Sequence, residues 1–397
     1  MSGGGDWSHL PSDLLHSIAA LLDTSTIHTV RFRSVCTTWR AAVPPPPPPL
    51  LSPHPISSAD PFAPQIDGFS LFKRTIYLLS SPLDPTKPWM IKLEEIEPGS
   101  KFRVFSPLVG THLGELKNGW PRGIDLMDAR VWDLGEEYVL KFVNRVSGRD
   151  WDSLYMEKVV FLRRGNGGFV VLTIHISGKL ALFRSGERKW VILNDKRLPF
   201  DDVIVVDGEF YGVDITGELV RVRVDDDGVI EGDRLSLVAE PVFGGDKKCL
   251  VKSGRDLLLV DVYNGVNRYE DSDGDYICAD EGSDEQLGQN AFWFEVFRWD
   301  VDGRKWVRVD RLDGRVLFLN DSCAFSACAS DLNWSRDNCI WYNFADDNND
   351  LHRGEDLLVY SDIKVFELDS GSTRGIREDG KSHKLFWPLP SWIKSAS

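Results

Sequence analysis

The residue types that carry most enzymatic chemistry are present in this chain, but they do not form a recognisable catalytic pattern. The nucleophile-elbow, zinc-protease, phosphate-loop and dinucleotide motifs are all missing from the sequence. The eight histidines are scattered, and His175, inside the apolar run 170–176, is interpreted as a hydrogen-bonded strand histidine. The sequence therefore predicts no catalytic residue, no metal ligand set and no cofactor.

An acidic run that begins at Asp271 is the segment closest in composition to a calcium loop. An EF-hand loop starting there would need glycine at position 276 and glutamate at position 282, where this chain has Tyr276 and Gly282. We therefore predict that 271–285 is a solvated, disordered acidic insertion between strands, and we interpret 346–350 and 225–228 in the same way. A role for these acidic loops in recruiting a basic segment of a target stays open.

The segment 10–43 has the spacing of a protein-binding helical module. One apolar helix face follows i, i+4, i+7, i+8 spacing and consists of Leu14, Ile18, Leu21 and Leu22. Ser12 is expected to cap this first helix. A second helical pattern begins at Ile27, and a third contains Val35 and Trp39.

This module is too small to bury its apolar residues internally. Domains of this size are marginal unless a metal, a disulfide or a partner stabilises them. The segment contains one cysteine, Cys36, and no metal ligand set, so a partner protein is the expected stabiliser. The alternative is that the helices cap the chain's own β body.

Two motifs in this segment occur together, L-P-x-D-L-L at 10–15 and R-x-V-C-x-x-W-R at 33–40. With this opening and close, the segment resembles an F-box. The resemblance implies docking onto a Skp-type adaptor, which connects to the cullin scaffold of a ubiquitin ligase. The residues that it assigns to the adaptor groove are Leu10, Pro11, Leu14, Leu15, Ile18, Val35, Cys36 and Trp39. Trp39 is the candidate hot spot, because a tryptophan side chain buries a large area in an interface.

Composition limits the other functions that the chain can have. A formal net charge of -15 fits poorly to a phosphate backbone, so nucleic acid is not predicted as a partner. The start of the sequence lacks the features of a secretory signal, and no run of about 20 apolar residues predicts a membrane span. The six cysteines are dispersed and are expected to be reduced thiols. These features predict a protein of the nucleus, the cytoplasm or both.

Composition also divides the chain into four parts. Residues 1–9 are predicted to be disordered, 10–43 form the F-box module, 44–65 form a Pro-rich linker, and 66–397 form a β domain. The linker is expected to be either a polyproline II spacer or a low-complexity segment without fixed geometry.

Alternating apolar and polar runs without a long helix predict an all-β domain. A unit of turn glycine and alternating strand occurs at Gly178 and again at Gly217, and a glycine turn leading to Lys-Trp-Val occurs at Trp190 and at Trp306. These repeats indicate a β-propeller in which a large aromatic residue packs between neighbouring blades. At about 40–50 residues per blade we favour six blades, with five or seven as alternatives.

Further motifs follow in order at 207–214, 306–307, 317–319, 339–342 and 387–393. Together with the module at 10–43, this order resembles the plant F-box proteins with a C-terminal, kelch-related β-propeller. The resemblance implies a non-catalytic substrate-recognition subunit, whose propeller binds an unidentified target protein for ubiquitination. A propeller enzyme with a site at the central channel, and a free-standing propeller scaffold capped by the helices, are the alternatives.

Overall fold

The structure is a computed structural model that describes most of the two predicted domains. The described residues are Trp7 and 10–21, 26–43, 56–57, 66–80, 86–97, 101–110, 112–116, 130–144, 150–151, 155–164, 167–193, 198–224, 235–264, 268–270, 276–278, 292–334, 336–344, 363–376 and 385–386.

Three short helices form the N-terminal module, as predicted: α1 (Ser12–Leu21), α2 (Thr26–Ser34) and α3 (Thr37–Ala42). The prediction that Ser12 caps α1 is wrong. The Leu15 amide donates to the Pro11 carbonyl at 3.1 Å, so Pro11 precedes the helix and Ser12 is its first residue. No helix within the described residues has the length and apolarity needed to span a membrane.

The β domain begins with an eleven-stranded sheet, whose two parts we call sheets I and II. Sheet I contains β1 (Ile56–Ser57), β2 (Ile66–Ser80), β3 (Trp89–Glu97), β4 (Lys101–Phe105), β5 (His112–Leu116), β6 (Arg130–Asn144) and β7 (Asp150–Trp151). Sheet II contains β8 (Tyr155–Arg163), β9 (Phe169–His175), β10 (Leu180–Arg184) and β11 (Lys189–Ile192). The two sheets join through the pairing of Tyr138 on β6 with Val159 on β8.

Three further sheets follow in chain order. Sheet III contains β12 (Phe200–Val206), β13 (Glu209–Asp214), β14 (Leu219–Val222) and β15 (Leu235–Ala239). Sheet IV starts with β16 (Lys247–Ser253) and β17 (Asp256–Tyr263), is interrupted by a separate hairpin of β18 (Arg268–Glu270) and β19 (Tyr276–Cys278), and ends with β20 (Trp293–Asp300) and β21 (Lys305–Arg308). Sheet V contains β22 (Arg315–Asn320), β23 (Ala324–Cys328), β24 (Cys339–Asn343), β25 (Lys364–Glu367) and β26 (Ser372–Gly375), with β22 parallel to β24.

One strand from each sheet lies on a central ring. Going round it, β6 contacts β8, β8 contacts β12, β12 contacts β16, β16 contacts β23, and β23 returns to β6. This closed arrangement confirms the predicted β-propeller. Among the described residues the ring contains five sheets, so the predicted count of six blades is not confirmed.

The repeated hairpins pack as the sequence predicts. Gly178 and Gly217 both have positive φ, at +73° and +87°, and each precedes a strand. Trp190 is fully buried, with its ring centroid 5.3 Å from that of Phe69 on sheet I. Trp306 donates its indole N–H to the Gly217 carbonyl of sheet III at 2.8 Å. Each tryptophan thus contacts the preceding sheet, Trp190 by ring packing and Trp306 by a hydrogen bond.

Buried polar contacts join the inner strands of sheets II, III and IV. Asp202 on β12 accepts hydrogen bonds from Lys158 Nζ on β8 at 2.7 Å and from the Leu250 amide on β16 at 2.6 Å. The second carboxylate oxygen accepts the Val203 amide at 2.6 Å. One carboxylate therefore neutralises a lysine and connects three sheets.

Several predictions concern residues outside those described. They include most of the disordered segment 1–9, most of the linker 44–65, and the acidic segments 225–228 and 346–350. Two short strands differ from the prediction. Ile56–Ser57, inside the predicted linker, pairs with β2, and Tyr276–Cys278, inside the predicted disordered insertion, pairs with β18.

We expect Asp202→Ala to lower the free energy of unfolding by about 3 kcal/mol, because it leaves Lys158 without its carboxylate partner in a mostly buried place. Urea denaturation measures this change. The control is Asp310→Ala, which removes a side chain that is 92% exposed and should cost less than about 1 kcal/mol. Equal losses in the two variants would contradict the bridging role of Asp202.

The neighbouring Asp201 should make stability depend on pH. Burial raises the pKa of Asp201 to about 6, although its carboxylate accepts the Lys248 amide at 2.9 Å. Its folded pKa lies above the unfolded value of about 3.9, so the stability it contributes is present below about pH 4 and is lost as the pH rises through about 6. Asp201→Asn should therefore gain stability relative to the natural chain across this window. A constant difference from pH 4 to 7 would contradict the prediction.

Candidate functional site

The N-terminal module has a small core of its own. Leu15 on α1 is fully buried and Phe32 on α2 is 5% exposed. The rings of Phe32 and Trp39 lie 4.6 Å apart, which packs α2 against α3. The module is therefore folded around these side chains before any partner is considered.

Two arginines from the second motif hold α2 and α3 together. Arg33 donates through Nη1 to the carbonyls of Arg40 and Val43, the first at 2.9 Å. In return, Arg40 donates through Nε to the Arg33 carbonyl at 3.1 Å. These bonds satisfy carbonyls at helix ends that would otherwise lack an intrahelical donor. The arginines of the motif thus act on the module's own backbone.

The module also presents an apolar surface. Leu14 is 51% exposed and Val35 is 47% exposed, while Pro11 is exposed as well. The remaining predicted contact residues on this surface are half-buried, namely Leu10, Ile18, Cys36 and Trp39. We call these seven residues the module surface. Exposed leucine and valine side chains on so small a module are available for contact with another protein.

Leu15 and Trp39 differ from the other predicted contact residues. Leu15 lies inside the module, so this placement does not support a direct partner contact by that side chain. The Trp39 indole N–H already donates to the Trp7 carbonyl at 2.9 Å. Only the part of the Trp39 ring that remains exposed is available to a partner. Spacing alone could not separate Leu14 from Leu15, because both lie on the wide apolar face of α1.

The module touches the propeller through α2. Arg31 Nη1 donates to the carbonyl of Val131 on β6 at 3.3 Å, and α2 contacts β6. This contact leaves Leu14 and Val35 exposed. If the helices capped the β body with their apolar faces hidden, both side chains would be buried. Their exposure does not support that alternative at these two positions.

The alternative of a propeller enzyme requires carboxylates and a histidine in mutual contact. The three histidines with described side chains are His16, His112 and His175, and they lie against Ser12, Phe105 and Ser177 respectively. His175 is hydrogen-bonded, as predicted. Within the described part of the chain no group of three His, Cys, Asp or Glu side chains could hold a metal ion.

Four buried carboxylates of the propeller are paired with cations, namely those of Glu94, Glu137, Asp202 and Asp261. Glu137 Oε2 lies 2.5 Å from Lys92 Nζ, and Asp261 Oδ1 lies 2.6 Å from Lys248 Nζ. Burial acts to raise the pKa of Glu137, but the charges of Lys92 and Arg74 outweigh it and hold that pKa below its usual range. Glu137 is therefore ionised and serves as a structural counter-ion, since a carboxylate with a lowered pKa is a poor proton donor.

Comparison with known proteins agrees with both parts of this architecture. Residues 7–48 match the family model described as the F-box domain, and residues 68–366 match the model described as the KIB1-4 beta-propeller. The chain is 37% identical to the Arabidopsis thaliana F-box protein SKIP23, over 98% of this chain and 96% of that protein. It is 30% identical to the F-box protein At2g17036 and 26% identical to the putative F-box/kelch-repeat protein At5g24040, both also from Arabidopsis thaliana. These two matches cover 98% of this chain, with 95% and 99% of the respective relatives.

Leu14 and Leu15 should respond differently to truncation. Leu15→Ala removes a fully buried side chain and should cost the module about 2–5 kcal/mol, whereas Leu14→Ala, at a half-exposed site, should cost much less. Amide hydrogen exchange in the full chain measures the effect, as faster exchange across α1 to α3 in the Leu15 variant alone. The same acceleration in both variants would contradict the division into core and surface.

Proposed function

The chain belongs to the F-box proteins that carry a KIB1-4 β-propeller, and we propose that it is the substrate-recognition subunit of a Skp-cullin-F-box ubiquitin ligase. In this proposal the helical module docks on a Skp-type adaptor, and the adaptor connects it to a cullin. The propeller holds the protein to be ubiquitinated.

The observation that carries the proposal is the exposed module surface. Its apolar residues belong to a helical module whose own core is already filled by Leu15 and Phe32, and the contact of α2 with β6 does not cover Leu14 or Val35. An amphipathic helix that keeps an apolar face open is suited to a hydrophobic groove on another protein. The Skp-type adaptor is the partner that the F-box family implies.

Catalysis in such an assembly is a matter of proximity. A target held by the propeller is brought close to the ubiquitin-loaded enzyme on the same scaffold, so its effective concentration rises. The chain itself then contributes binding and geometry, and no acid, base or nucleophile. The ion pairs of Glu137 with Lys92 and of Asp202 with Lys158 support this division of labour.

We also propose the nucleus, the cytoplasm or both as the site of action. Cys249 and Cys339 are buried free thiols, and burial raises the pKa of each to about 12. Thiols with raised pKa values stay protonated and react slowly. Reduced, buried cysteines suit the reducing compartments of the cell.

Adaptor binding should depend on the module surface. The double variant Leu14→Asp, Ile18→Asp places two charges where the groove expects apolar side chains, so its affinity for a purified Skp-type adaptor should fall at least about 30-fold, equivalent to about 2 kcal/mol. Trp39→Ala should weaken binding as well, and a thermal melt of the propeller should not change in either variant. Biolayer interferometry with the full chain measures the affinities.

The matched control is Leu198→Asp. Leu198 is 50% exposed, almost the same as Leu14, but it lies on the segment before β12 of the propeller. This variant should bind the adaptor like the natural chain. If the Leu14, Ile18 double variant also binds normally, the module surface is not the adaptor site and the proposed function fails.

A further inference from the structure

Exposed apolar side chains collect at one end of sheets II, III and IV. Ile176 and Ile215 lie on the β9–β10 and β13–β14 turns and are 61% and 41% exposed. Leu198 and Phe243 lie on the segments that lead into β12 and β16 and are 50% and 77% exposed. We call the following six residues the apolar strip: Ile176, Leu198, Pro199, Ile215, Val242 and Phe243.

Direct contacts place these turns and segments side by side. The Ile215 amide donates to the Pro199 carbonyl at 3.0 Å. Gly178 packs so tightly on the same proline that a Cβ atom on it would lie 2.5 Å from the Pro199 Cβ. A Cβ atom on Gly217 would lie 3.0 Å from the Val242 nitrogen. The strip therefore runs without a break across the three sheets, and close packing fixes its shape.

A continuous strip of this kind differs from scattered apolar residues. Isolated exposed apolar side chains are common on proteins, whereas contiguous apolar patches mark surfaces that contact another molecule. The helical module contacts β6 of sheet I, and none of the six strip residues belongs to that sheet. The apolar strip is therefore a second surface, separate from the module surface.

Two exposed carboxylates lie beside the Phe243 end of the strip, those of Glu240 and Asp246. The two lysines that follow in the chain already have carboxylate partners. Lys247 and Lys248 each pair with an aspartate, with Nζ–Oδ1 distances of 2.7 Å and 2.6 Å. The lysine charges are thus compensated, and a partner bound at this end of the strip meets the two exposed carboxylates.

The ends of β17 and β24 lie next to this part of the strip. The Asn264 amide, just after β17, donates to the Asp246 carboxylate at 2.6 Å. Lys247 Nζ lies 5.5 Å from the ring centroid of Phe344, which follows β24. The Phe344 ring in turn lies 5.4 Å from that of Phe292, which precedes β20. The segments that connect these strands to the next ones therefore begin beside the strip.

Those two connecting segments carry most of the charge of the chain. Residues 265–291 contain eight acidic residues and one arginine, and residues 345–362 contain six acidic residues and one arginine. Together they account for -12 of the formal net charge of -15. Negative charge concentrated at one end of the propeller attracts basic partners and speeds their association. A second copy of this acidic chain would be repelled.

We propose that the apolar strip binds a segment of the target protein that combines apolar side chains with lysine or arginine. The apolar side chains would pack on Ile215 and Phe243, and the basic ones would lie beside Glu240 and Asp246. The proposal rests on the proposed function, because it takes the bound protein to be the target. It adds the binding surface and the chemical class of the segment recognised.

Selection from a library of displayed random peptides tests the proposal without assuming a sequence. Peptides enriched on the full natural chain should contain apolar residues and carry a net positive charge. Fluorescence anisotropy with the synthesised peptides then measures affinity. The variant Ile215→Ser, Phe243→Ser should bind them about tenfold more weakly or worse, because the apolar contacts are lost. Glu240→Gln should weaken binding about twofold and reduce its dependence on salt.

The matched control is Val307→Ser. Val307 is 41% exposed, the same as Ile215, but it lies on β21 outside the strip. This variant should change the affinity for the peptides less than about twofold, as is usual for exposed positions away from a binding site. An equal loss in the control and in the strip variant would overturn the proposal.

Four further results would overturn it. They are the absence of enriched peptides, enrichment of neutral or acidic peptides, undiminished binding by the strip variant, and a dimer of the natural chain that the strip variant abolishes. Adaptor binding by the strip variant should equal that of the natural chain. A chain that selects basic peptides at the strip but never binds the adaptor refutes the proposed function alone. A chain that binds the adaptor but selects no such peptides refutes the strip alone.

Discussion

Closure of the ring of inner strands is the constraint on which the rest of the propeller depends. Each inner strand is surrounded by others, so a polar side chain on it must find a partner across a sheet boundary or bear the cost of burial. Asp202 finds Lys158 and the Leu250 amide, and the Ser326 hydroxyl donates to the Lys252 carbonyl at 3.1 Å. At the last boundary, Asn320 Nδ2 donates to the Leu108 carbonyl at 2.7 Å. These contacts fix how neighbouring sheets meet and hence the geometry of every surface built between them.

The helical module is stabilised by different contacts from those of the propeller. It is held by one small aromatic core and by reciprocal arginine–carbonyl bonds between α2 and α3. Such a module can be ordered without burying all its apolar residues, which leaves Leu14 and Val35 exposed. The inner strands of the propeller contact one another in a closed ring, whereas the module keeps apolar side chains exposed. This contrast supports the proposed division into target binding by one part and scaffold docking by the other.

Local signals in the sequence were sufficient for much of this architecture. The spacing of apolar residues predicted three helices, and the glycine turns before Trp190 and Trp306 predicted hairpins with a large aromatic residue packed between neighbouring blades. Other features depend on contacts between distant residues and leave no local trace. By its residue type, Lys92 would be assigned to a solvated strand face, but it is fully buried beside Glu137. Its Nζ lies 3.7 Å from the Sγ of Cys323, which is 231 positions away in the sequence. The parallel pairing of β22 with β24 and the number of sheets arise in the same way.

Hydrogen–deuterium exchange of the full chain, with and without a purified Skp-type adaptor, tests the central claim most directly. The claim is that the apolar surface of the N-terminal helices is kept open for that adaptor. We predict slower exchange over residues 10–43 when the adaptor is present, with the inner strands of the propeller unchanged. Unaltered exchange in those helices at saturating adaptor, or protection confined to the propeller, would contradict the account.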